Sequence, residues 1–140
     1  MEELTGQLVA VHPQLTTDPV SRQGQIGVIA MVDLKNDTIS VGFGGGRLGR
    51  YSSDALLVLK NKNELYQDIM TGVKDMDAKT FHDLLDINMK QERSDYGNIS
   101  TAMKIALENP EVMKRSMISL EDYISRNRII DISEEVSFER

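Results

Sequence analysis

Gly44, Gly46 and Gly49, in the run Gly44-Gly-Gly-Arg-Leu-Gly-Arg50, carry the spacing GxGxxG. Backbone N–H groups in such a run can cradle a phosphate, and Arg47 and Arg50 stand inside it to meet the charge. That chemistry needs a helix to open directly behind the glycines, so that its N-terminus faces the anion. Here Tyr51-Ser-Ser-Asp54 and then Leu56 to Leu59 follow, a turn and a strand-like segment. The run is therefore expected to be a flexible turn between strands, with arginines placed to touch an acidic partner or RNA.

The other chemistry-bearing residues form weaker sets. His12 and His82 are the only histidines. His82 and Asp86 lie four apart and would share a helix face, but two ligands without a third make no metal centre, and with Asp83 beside them they read as a solvated helix surface. Asp33-Leu-Lys-Asn-Asp37 lacks the glycine and closing glutamate of a calcium loop and reads as a hairpin turn. No serine or threonine pairs with a histidine and an acid, so the reading includes no catalytic residue, metal or cofactor. Among the eight methionines, Met70, Met89, Met103, Met113 and Met117 fall on helical stripes. They are expected to fill an irregular core, an adaptable binding surface being the other use of such residues.

A chain of 140 residues fits one domain, or a very small one with a packed extension. It contains no cysteine, which excludes disulfides and thiolate metal sites. Sixteen basic and twenty-two acidic side chains give a net charge of −6, which disfavours nonspecific attraction to phosphate backbones and anionic membranes. Neither half is basic: four basic and six acidic residues precede Lys60, leaving twelve and sixteen from there on. The start, Met1-Glu-Glu-Leu, is acidic, and no apolar run approaches the ~18 residues of a spanning helix. The expectation is a cytoplasmic protein that does not enter a membrane.

The elements that must position these residues change character near residue 60. Thr5 to Val11, Gly24 to Asp33, Asp37 to Phe43 and Ser53 to Leu59 read as strands with their turns, and His12 to Gln23, with Pro13 and Pro19, as a long irregular loop. Ile26 to Val32 is apolar on both faces, as in a strand covered on its outer side. From Lys60 the period becomes helical. Asn61 or Asn63 caps a helix with Leu65, Ile69 and Val73; Asp77 caps one with Phe81, Leu84 and Leu85; Tyr96-Gly97 makes a break. Ser100 caps a third, Asn109-Pro110 opens a fourth carrying Val112, Met113 and Met117, and Ser119 opens a last one with Leu120, Tyr123 and Ile124. The divisions are 1–60, a β unit; 61–128, helices packed on or beside it; and 129–140, a tail forming an edge strand or disordered.

Arg22, the segment Gly24-Gln-Ile-Gly27-Val-Ile, the hairpin strand Thr38-Ile-Ser-Val-Gly-Phe43 and the later Arg50-Tyr51-Ser-Ser-Asp54-Ala-Leu together resemble the core of KOW-type and other SH3-like barrels. The resemblance covers residues 1–60 and implies an α+β protein: a small SH3-like β-barrel followed by four to five short helices. KOW modules often bind RNA, ribosomes or RNA polymerase, and other SH3-like barrels bind peptides. This chain departs from both. There is no tryptophan, Phe43 and Tyr51 are the barrel's only aromatics, and Arg22, Lys35, Arg47 and Arg50 are its whole basic supply. The expectation is a non-enzymatic module that binds another protein through residues 12–23 and 44–50, using Arg22, Lys35, Gly44, Gly46, Arg47, Arg50 and Tyr51. A contact to RNA, or to a transcription or translation complex, through the four basic residues is the alternative.

Overall fold

The computed structural model describes residues 4–15, 22–93 and 95–126. Strands β1 (Leu8–Val11), β2 (Ile26–Asp33), β3 (Thr38–Gly42), β4 (Leu48–Tyr51), β5 (Leu56–Leu59) and β6 (Met117–Ser119) form one antiparallel sheet in the order β4-β3-β2-β1-β5-β6. Helices α1 (Lys62–Gly72), α2 (Ala78–Gln91), α3 (Tyr96–Glu108) and α4 (Pro110–Ser116) lie between β5 and β6, and α5 covers 120–126. The α+β class is as expected, but the closed barrel is not what forms. β5 pairs with β1 on one side and with β6 on the other, through Leu57↔Ser119 and Leu59↔Met117. The helical region thus supplies the strand that takes the second edge of β5, and β4 is left at the opposite end of the sheet.

Strand alternation divides the core in two. Val9, Val11, Ile29, Ile39, Val41 and Leu56 point to one face, where Leu4 and the α5 residues Leu120 and Ile124 cover them. Ala10 and Leu57 point the other way, against Leu65, Ile69, Leu84, Ile87 and Met103 of the helices. β1 and β5 are therefore buried on both sides, which their unbroken apolar runs require. The outer face of β2 was expected to be covered too, and only Ile26 at its start packs against the helical core. Val28 and Met31 remain 37% and 67% exposed. A register shift between Ile29 and Met31 brings Val32 back to the inner cluster and leaves Met31 opposite Ser40 on the outer face.

Gly27 permits β2 and β3 to approach. A Cβ there would lie 2.5 Å from Val41 Cγ1 and 2.7 Å from the Gly42 carbonyl oxygen. No side chain fits such a gap.

Caps set the helix boundaries. Asn61 accepts the Asn63 N–H at 2.9 Å and Asp77 the Thr80 N–H at 2.7 Å, both at expected positions. The third helix starts earlier than expected: Asp95 accepts the Asn98 N–H at 2.8 Å, so Tyr96 and Gly97 form its first turn and Ser100 lies inside it. A glycine there costs little, because the first-turn N–H groups have no intrahelical partners to lose. Asn109 caps α4 through the Glu111 N–H, with Pro110 at the first helical position. Met117, expected on a helical stripe, is instead the first residue of β6. Ser119 ends that strand and accepts the Asp122 N–H at 3.1 Å, opening α5 as expected. Among the described residues, no helix is long and apolar enough to cross a membrane. The expected tail, 129–140, and residues 16–21 of the long loop lie outside the described residues.

Candidate interaction site

The start of β2 and the end of β3 meet at one end of the sheet, and each is held by backbone bonds. Gly24, at φ +76°, donates its N–H to the Val11 carbonyl at 2.9 Å, while Gln25 donates to the Arg22 carbonyl at 3.0 Å. This fixes Arg22 beside the hairpin, with its guanidinium 5.6 Å from the centre of the Phe43 ring and its Nη1 donating to Gln25 Oε1 at 3.1 Å. Phe43 in turn meets Tyr51 edge-on at 6.3 Å. Its N–H donates to the Arg47 carbonyl at 3.0 Å, and the Arg47 N–H to the Gly44 carbonyl at 3.2 Å. Gly44, Gly45 and Gly46, between them, have φ of +92°, +62° and +76°. Only glycine adopts three such conformations in succession without strain.

Against this turn opens a cleft of about 660 Å³. Residues 24–28 and 42–44 of the sheet line one side, and α3 supplies Ser100, Lys104, Leu107 and Glu108 on the other.

The structure gathers some expected residues and separates others. Arg22, Gly44, Gly46 and Arg47 share this end of the sheet. Arg50 lies on the exposed outer face of β4, three residues past Arg47. Tyr51 is only 5% exposed and supports Phe43 from the interior. Lys35 sits in the β2–β3 turn at the far end of β2, whose eight residues span about 26 Å. The sequence reading missed the α3 wall. Lys104 and Glu108 are four apart on α3, beside its buried residues Ala102, Met103 and Ala106, but nothing in their spacing indicates which neighbour that flank would face.

The remaining candidates are occupied structurally. The last glycine of the GxGxxG run, Gly49, lies within β4, so a strand and not a helix stands directly behind the run. Asp86 pairs with Lys90 at 2.5 Å and Asp83 with Lys79 at 3.1 Å, while His82 stands edge-on to Phe81. His12 Nδ1 accepts the Gln14 N–H. Asp33 accepts from Asn36, and Asp37 takes the Ser53 N–H at 3.1 Å, as befits a hairpin turn. Among the described residues, no three metal-ligating side chains cluster. Asp77 and Asp95 are held below the ordinary carboxylate value, chiefly by the backbone N–H groups of Thr80 and Asn98, and both act as helix caps. No protein-family model, curated protein or solved structure matches this chain.

Proposed function

We propose that the protein is a non-enzymatic interaction module, an SH3-like sheet carrying a helical cover, which binds a partner protein at the end of the sheet where Arg22 and Phe43 meet. The strand order β4-β3-β2-β1-β5, with a short 3-10 turn at Ser53–Ala55 leading into β5, supports the SH3-like reading. One observation carries the functional reading. The Arg22–Phe43 contact joins the described end of the proline-bearing loop, residues 22–25, to the glycine-arginine turn beside an open cleft, so these two segments at the end of the sheet offer one surface. A KOW-like contact to RNA would use the same end, but among the described residues Arg22, Arg47, Lys104 and the neighbouring Arg50 are its basic supply, Glu108 stands beside Lys104 in the cleft wall, and the whole chain carries a net charge of −6. A partner protein is favoured for that reason.

Photoreactive residues placed at Gln25 and Arg47, and as controls at Lys35 and Glu121, test this in cells that encode the protein. The expected result is a discrete protein adduct from the first two positions only, unaffected by ribonuclease. Adducts that vanish with ribonuclease transfer the site to RNA. Adducts from all four positions, or from none, overturn the proposal.

A further inference from the structure

Resting on the interaction reading above, we infer that β4 is the docking edge for an extended, acidic segment of the partner, which joins the sheet as an added strand. Hydrogen-bonded and non-bonded pairs alternate along an antiparallel ladder, and the Phe43 N–H bond to the Arg47 carbonyl sets the phase. Val41↔Gly49 and Ile39↔Tyr51 are then the bonded pairs, while Gly42↔Leu48 and Ser40↔Arg50 are not. Leu48 and Arg50 therefore turn both N–H and C=O away from β3, toward an edge on which no further strand pairs among the described residues. Two of the devices that blunt such an edge are missing from this short strand: β4 holds no proline, and its register with β3 runs without a shift.

The side chains specify the occupant. Leu48 continues a row across the outer face, Leu8↔Val28↔Gly42↔Leu48, and is 56% exposed. Arg50 continues the next row, Met31↔Ser40↔Arg50. An added strand extends both rows, with an apolar residue beside Leu48 and, two positions along, a carboxylate beside Arg50. From Thr38 to Ser53 the chain carries no acidic residue. The flanking carboxylates are engaged, Asp37 by the Ser53 N–H and Asp54 by the Ser52 hydroxyl. Among the described residues, neither Arg47 nor Arg50 is in an ion pair. A basic edge on a chain of net charge −6 draws acidic segments. Pairing β4 with β4 of a second copy would crowd arginines from both chains along one edge, which disfavours self-association there.

Random peptides displayed on phage and selected against the full chain supply the test. Enriched peptides are expected to carry an apolar residue and an aspartate or glutamate two positions apart. Their binding should weaken at least about tenfold on Arg50→Glu, with no change on Lys35→Glu. N-methylation of the peptide amides that face β4 should abolish binding, which distinguishes strand addition from simple charge attraction. Peptides without acidic preference, binding that ignores Arg50→Glu, tolerance of N-methylation, or no enrichment overturn the inference. Peptides that respond to Lys104→Glu but not to Arg50→Glu also overturn it, while leaving the interaction reading intact. Since Arg50 is exposed, Arg50→Glu should keep the fold, checked by an unchanged urea midpoint.

Discussion

Replacing Gly27 with alanine adds one methyl group where no space exists. The new Cβ would sit 2.5 Å from Val41 Cγ1, 2.7 Å from the Gly42 carbonyl oxygen and 3.1 Å from Phe43 Cδ1. Val41 is fully buried in the inner core and the carbonyl belongs to a paired strand, so neither can yield without moving β3. Overpacking of this kind costs about 1–3 kcal/mol, and contact with backbone puts Gly27→Ala at the upper end, about 3 kcal/mol. Gly42→Ala is the matched control. Its Cβ would find Leu48 Cδ2 at 3.6 Å and the Val28 carbonyl at 3.8 Å, ordinary contacts, so its stability should stay within about 0.5 kcal/mol of the parent. Urea unfolding followed by circular dichroism reads both, the midpoint falling for Gly27→Ala at constant slope. An unchanged midpoint for Gly27→Ala, or an equal fall for both variants, would refute the claim that β2 and β3 approach too closely for a side chain.

Leu120→Ala should cost about 3 kcal/mol, because Leu120 is fully buried between α5 and the sheet's inner face; chemical unfolding measures it, and a change below about 1 kcal/mol would mean that α5 does not cover that face. Asn109→Ala removes the cap of α4 and should lose about 1 kcal/mol by the same assay. Asp77 and Asp95 have folded pKa values below the unfolded one, so the stability they contribute is present above the ordinary value of 3.8 and is lost as pH falls through the lower, folded value. Asn substitution at both positions keeps the cap geometry but removes this titration. The urea midpoint of that variant should fall less on acidification than the parent's, and identical pH profiles would contradict the assignment.

The sequence shows much of this architecture wherever a local rule decides the outcome. Asn61, Asp77, Asn109 and Ser119 cap where short polar side chains precede an apolar stripe, and Ile39 and Val41 point inward by simple alternation. β4 was not legible, because its inward positions are Gly49 and Tyr51 and its outward ones Leu48 and Arg50, so glycine and leucine stand where an apolar alternation would be reversed. β6 was hidden for another reason. Met117 and Ile118 suit a helical stripe as well as a strand, and only the unpaired side of β5 decides between them. That same long-range choice leaves the sheet open. At the candidate site, Arg22 and the glycine turn were legible from their spacing, whereas the departure of Lys35 and the arrival of Lys104 follow from strand length and helix packing.

Residue-by-residue hydrogen exchange along β4 in the free chain bears most directly on the claim that this edge is open for recognition. The amides of Leu48 and Arg50 should exchange rapidly and those of Gly49 and Tyr51 slowly, with the first two slowing when an enriched acidic peptide is added. Slow exchange at all four amides in the free chain would mean that the edge is already occupied, and would contradict the account.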